Sequence, residues 1–202
     1  MSQTATYLHR FESAEAAAAR LAKLDLGAAA RPLAMASGVD LAGAARALAA
    51  AGMAGDAVSV LGQALDKRAA VWWACLAARQ EPPPADTPIA MSPAETAALA
   101  AAEDWVRGPD PAKAHAAFAA AEAADMASPA ACAALAAFFA GDSIAPPGGQ
   151  AVPPPDHVAG LVSAGAVQLA AVRHRPEIAP QTLAAFVDRG FAIAAGQDHW
   201  EN

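Results

Sequence analysis

The stretch Ser92-Pro93-Ala94-Glu95, continued by Thr96-Ala97-Ala98-Leu99-Ala100-Ala101-Ala102-Glu103-Asp104-Trp105-Val106-Arg107 and stopped by Gly108, decides the class of fold. A serine followed three residues later by glutamate is a capping box, in which each side chain satisfies a backbone N–H at the helix start. Pro93 stands at the first helical position, where its missing N–H is not needed. Alanine and leucine then carry the helix, and Arg107 complements the negative end of the helix dipole. The same punctuation recurs at Asp110-Pro111 and Ser128-Pro129, predicting helices that end near Ala124 and Ala140. Three helices in series with a cap-then-proline start resemble stacked helical hairpins, although no fixed period marks a repeat.

Working outward, Ser13 caps a predicted helix through Leu24 that Gly27 ends, and an irregular piece surrounds Pro32. Asp40 caps Leu41 to Ala51, where Leu41, Ala44, Ala45, Leu48 and Ala49 form one stripe and Gly52 closes the helix. A helix from Asp56 to Leu65 follows, and Asp66 caps Lys67 to Gln80. Toward the C-terminus, Val158, Leu161, Val162, Gly165, Leu169 and Val172 recur at helical spacing and are expected to form a buried face. The last helix, Pro180 to Ala195, repeats the pattern with Leu183, Phe186, Val187, Gly190, Phe191 and Ala194. Gly165 and Gly190 are expected to let these two helices approach closely. The expectation is an all-α fold, a helical bundle or stacked helical hairpins of about eight helices. Residues 1–12 read as an N-terminal arm and 13–202 as a single all-α domain. Prolines at 82, 83, 84 and 88 place a sub-boundary at 81–92, and the proline- and glycine-rich 142–156 reads as a flexible linker or a strap over the helices, the strap favoured by Ile144 and Val152 as apolar anchors.

Composition narrows the function. Of 202 residues, 56% are hydrophobic and 16% charged, and the apolar share is dominated by alanine, so packing must come from close helix contacts. A net charge of -7 argues against nucleic acid and anionic membranes, which need clustered Lys and Arg. The uncharged stretches Met126 to Gly141 and His157 to Val172 fall short of the ~20 residues of a bilayer crossing, so no membrane insertion is expected. Met1 to Phe11 lacks the apolar segment of a signal peptide. Cys75 and Cys132 are far apart and lack a second cysteine at metal or redox spacing, which reads as reduced, buried thiols in a cytoplasmic protein.

Neither a P-loop, a dinucleotide fingerprint, a nucleophile elbow nor a zincin pair can be placed, so no catalytic residue, cofactor or metal is expected. His115 and Glu122 lie two turns apart, farther than helical residues that share a metal. Glu103 and Arg107 have the i, i+4 order of a stabilising helix pair. The basic cluster Arg173-His174-Arg175 stands at a helix end and suits dipole complementation. Trp72 and Trp73, as adjacent helical residues, point about 100° apart, so one is expected in the core and the other at a junction, under the proline strap or against a partner. Trp and Arg are enriched at interface hot spots, which makes Trp72, Trp73, Arg79 and Trp105 the candidate partner-binding residues. The leading expectation is a non-enzymatic module whose partner is another protein. The rival is an enzyme or small-ligand binder with a site assembled from distant helices, for which Cys75, Arg79, Trp105 and His115 are the candidates.

The run Asp66-Lys67-Arg68-Ala69-Ala70-Val71-Trp72-Trp73-Ala74-Cys75, with Ala101-Ala102-Glu103-Asp104-Trp105-Val106, Ile144-Ala145-Pro146-Pro147 and Val152-Pro153-Pro154-Pro155, resembles an uncharacterised bacterial protein family. The resemblance covers most of the chain from about Leu41 onward. It implies a helical protein sometimes encoded near type VI secretion components, and it brings no activity or catalytic residue with it.

Overall fold

The computed structural model describes residues 7–79, 90–198 and Trp200. Among them the chain forms ten α-helices: α1 (Ala14–Leu21), α2 (Ala30–Met35), α3 (Leu41–Ala50), α4 (Ala54–Ala64), α5 (Lys67–Ala78), α6 (Pro93–Arg107), α7 (Pro111–Ala123), α8 (Pro129–Ala140), α9 (Val158–Arg173) and α10 (Ala179–Ala194). A short 3-10 turn, Pro176–Ile178, precedes α10. The helix starts follow their caps. Ser13, Asp40, Asp66, Ser92, Asp110 and Ser128 each accept a backbone N–H of their own first turn, and at Ser92 both bonds of the capping box form.

Three boundaries differ from the sequence expectation. The first helix stops at Leu21 rather than Leu24, and a short helix, α2, replaces the irregular piece around Pro32. Pro32 is tolerated because it sits in the first turn, where backbone N–H groups have no intrahelical acceptor. The helix expected from Asp56 starts at Ala54, which leaves the Asp56 carboxylate free to accept the Gly27 N–H at 2.8 Å. Most of the expected sub-boundary at 81–92 lies outside the described residues.

Helix α5 is the centre of the molecule. It packs against α6, α8, α9 and α10, and every residue from Ala69 to Ala77 except Trp72 is buried. Small residues permit this crowding. Where α4 crosses α9, a Cβ on Gly160 would stand 2.2 Å from the Gly62 carbonyl oxygen, and one on Gly62 would stand 2.5 Å from that of Gly160. The two backbones are in direct contact there, so only glycine fits at either position.

The expected close approach through Gly165 and Gly190 does not occur in that form. Gly190 faces Leu61 of α4 and the indole of Trp73, whereas a Cβ on Gly165 would meet nothing within 4 Å. The expected buried face of α9 is likewise reversed. Its buried residues are Ala159, Gly160, Ser163, Ala164, Ala166, Val167 and Ala171, all small except Val167, and Leu161, Leu169 and Val172 of the expected face are exposed. Closer helix packing wins over larger side chains here, because α5, α8 and α4 can approach only a face of small residues.

The segment between α8 and α9 is closed by Ile144 N–H donating to the Val152 carbonyl at 2.8 Å and by the Ser143 hydroxyl accepting from Ala145 and Val152. Val152 itself is exposed and does not serve as the apolar anchor expected of it; Pro154 is the buried residue there. Cys75 is buried, while Cys132 is only half-buried, against the expectation of two buried thiols. No helix among the described residues is long and apolar enough to cross a membrane.

Candidate functional site

The outer face of α9 is built from Leu161, Gly165, Leu169 and Val172, with Val158 and Val162 beside them half-buried. Leu161 is 41% exposed, Leu169 38% and Val172 45%. The helix carries no Asp, Glu, Lys or Arg from Val158 through Val172. A solvated helix face ordinarily holds charged or polar residues. The one polar side chain near this face, Gln168, is turned toward α4, donating through Nε2 to the Gly55 carbonyl at 3.2 Å and to the Ser59 hydroxyl at 3.0 Å. Glycine in a helix interior is unfavourable by about 1 kcal/mol relative to alanine. At Gly62 and Gly160 the packing explains it; at Gly165 nothing inside the fold does.

The residues singled out from the sequence fall elsewhere. Trp73 is fully buried and its indole N–H donates to the Phe186 carbonyl at 2.8 Å. Trp72 is half-buried at a junction, as the adjacency argument requires, but the cover is the C-terminal segment: its indole N–H donates to the Asp198 carbonyl at 2.8 Å. Trp105 is buried in the core and offers little surface. Arg79 is held by Glu103, whose two carboxylate oxygens accept from its Nε and Nη2. Arg107 adds a third contact to the same buried carboxylate at 3.3 Å.

Of the four residues considered for an assembled site, Cys75 and Arg79 come together, with Glu103 between Arg79 and Arg107. Burial, then the Glu103 charge, pushes the Cys75 thiol far above its ordinary range, so the thiolate form is suppressed. The Glu103 hydrogen bond raises the pKa of Arg79 further and keeps it charged. His115 is away from them on α7, its ring edge-on to Phe138 at 5.4 Å.

A second feature had no sequence signal because its members are far apart in the chain. A cavity of about 90 Å³ is lined by His9, Arg20, Gln63, Lys67 and Asp156 around the Gly62–Gly160 crossing. Arg20 donates to Gln63 Oε1 at 3.2 Å and to the Asp156 carbonyl at 3.0 Å, and the buried Gln63 donates to the His157 carbonyl at 3.1 Å. Burial, then the nearby Arg20, lowers the pKa of His9 and favours its neutral form. These bonds tie α1 and α4 to the start of α9, and they hold that helix in the orientation that leaves Leu161 and Leu169 outward.

No curated protein and no solved structure matches the chain. One family does match, over residues 44–194, a span that runs from α3 through α10 and includes the whole of α9. Its description is a family of unknown function, DUF6931. The match covers three quarters of the chain, 151 of 202 residues, and this protein therefore belongs to DUF6931.

Proposed function

We propose that this protein is a non-enzymatic interaction module that engages another protein chain through the outer face of α9. The observation that carries the reading is the uncharged, apolar solvent face formed by Leu161, Leu169 and Val172 around Gly165. Exposed apolar residues scattered singly need no explanation, but an aligned row on one helix is what a helix-in-groove or helix-on-helix contact uses. The net charge of -7 disfavours nucleic acid as the partner. The sequence resemblance supports a setting among type VI secretion components, and the reduced cysteines support the cytoplasm as its place of action.

Site-specific cross-linking in the native cell tests this. A benzophenone-bearing amino acid at Leu169 should give a defined cross-linked species, and the same probe at exposed Glu122 on α7 should not. No product from Leu169, or an equal yield from both positions, would overturn the reading.

A further inference from the structure

We infer that the cavity at the Gly62–Gly160 crossing is a binding site for one small tetrahedral oxyanion of the phosphate class, held by Arg20 and Lys67 with His9 beside them. This site does not depend on the outer face of α9 being an interaction surface. Its basis is a set of cationic donors, gathered around one small space, that the fold leaves without acceptors. A guanidinium carries five N–H groups in a planar fork. Nη1 of Arg20 is used, donating to Gln63 Oε1 at 3.2 Å and to the Asp156 carbonyl at 3.0 Å, whereas the described residues supply no acceptor for Nε and Nη2. Buried Gln63 is itself fixed by donating to the His157 carbonyl, so it holds the Arg20 fork in place. Lys67 reaches the same Asp156, but at 3.4 Å, longer than the ~2.8 Å of a well-made charge-assisted bond. The His9 ring stands edge-on to Phe11 and makes no hydrogen bond among the described residues.

The charge of the wall is positive although the chain as a whole is acidic. Of the lining residues only Asp156 is an acid, and its side chain is 76% exposed; what meets Arg20 is its backbone carbonyl, not its carboxylate. Asp66 stands near His9 but caps α5, accepting the Ala69 N–H at 2.8 Å. Burial, then Arg20, lowers the His9 pKa; Lys67 adds to the shift, and Asp156 and Asp66 oppose it without cancelling it. Burial also lowers the pKa of Arg20, and Asp156 does not offset that. A half-buried cation whose charged form is disfavoured is one that lacks a counter-anion. Gly160, in the first turn of α9, forms part of the wall, and α9 starts without a side-chain cap, so the positive end of its dipole adds to the field. The space sets the size of the guest. A volume of about 90 Å³ is room for about three waters at ~30 Å³ each, which suits one phosphate or sulfate ion and is too little for a nucleotide.

Isothermal titration calorimetry and histidine NMR on the full chain test this assignment, with inorganic phosphate as the probe and sodium chloride at matched ionic strength as the control. Phosphate should bind at one site per chain with a Kd at or below about 1 mM. The His9 pKa, read from its ring proton, should rise in saturating phosphate, because an anion beside the ring favours the charged imidazolium. Arg20→Gln should weaken binding at least about tenfold, as expected for losing a charge-assisted contact. Lys67→Gln should weaken it several-fold and leave the Asp66 cap of α5 intact, so it decides the matter if Arg20→Gln loses its fold along with the Gln63 contact. Glycerol 3-phosphate distinguishes the source of the anion: binding as tight as that of phosphate means that the site takes the phosphate end of a larger molecule, and weaker binding means that it takes the free ion. Absence of saturable binding up to about 1 mM would overturn the assignment. So would phosphate binding that is the same in wild type and Lys67→Gln with an unmoved His9 titration, since the anion would then sit elsewhere.

Discussion

At the residue scale, the two adjacent tryptophans show how one helix sorts neighbours by direction. Trp73 points into the centre, where its indole meets the Gly190 backbone of α10 and donates to Phe186, so no solvent reaches it. Trp72 points about 100° away and is half-covered by the C-terminal segment. Trp73→Ala should therefore destabilise the protein by about 3 to 5 kcal/mol, the range for a large aromatic removed from a packed core. Trp72→Ala should be milder, because the side chain is partly solvated already. Denaturant titration of the two variants checks the order, and equal losses would show that Trp72 is as much a core residue as Trp73. That one indole is buried and one is not was readable from their adjacency. Which was which was not, since it depends on Gly190 clearing space 117 residues further along the chain.

At the element scale, helix starts were readable because a cap acts within four residues, reinforced by proline in three of them, and all six capped starts appear where their side chains place them. The orientation of α9 was not. Its large residues mark one face and its small residues the other, and hydrophobic periodicity alone favours burying the large ones. What decides is that Gly62 and Gly160 bring α4 and α9 into backbone contact, a pairing of positions 98 residues apart that no local pattern records. The far end of α9 is pinned differently, by Arg173 donating to Glu95 of the α6 capping box at 2.7 Å. That contact, together with the Ser92 N–H, holds the Glu95 carboxyl down at about 2. A carboxyl depressed in the folded state contributes stability that is present above its unfolded value near 4.5 and is lost as pH falls through about 2. Glu95→Gln should accordingly melt below wild type at pH 6, and the gap should close as the pH approaches 2. A gap that stays constant over that range would mean the charge on Glu95 does not matter and only its hydrogen bond to Ser92 does.

At the scale of the whole molecule, the two ends of the described chain are fastened to each other and to the centre. The Tyr7 N–H donates to the Ala194 carbonyl at 3.0 Å, the Asp66 N–H donates back to the Tyr7 carbonyl at 3.1 Å, and Leu8 forms a single antiparallel bridge with Leu65. The Tyr7 ring lies 5.2 Å from the indole of Trp200. Over that indole, 4.4 Å from its centre, sits the Arg68 guanidinium, which also donates to the Val106 and Arg107 carbonyls at the end of α6. Residues from the arm, α5, α6 and the C-terminal segment thus meet around one aromatic ring. If these contacts belong to the cooperative unit, loosening them must lower the single melting transition of the whole chain rather than split off an early one. Trp200→Ala removes a nearly buried indole at the edge of the core, so about 2 kcal/mol is expected, less than for a central tryptophan. In a chain of this size that corresponds to a fall in Tm of about 4 to 8 °C. Calorimetry should show one peak displaced by that amount, with calorimetric and van't Hoff enthalpies in agreement. An unmoved main peak with a separate, earlier loss of Trp72 fluorescence would instead mean that the C-terminal segment opens locally, and that the core from α3 to α10 holds itself together without the clasp.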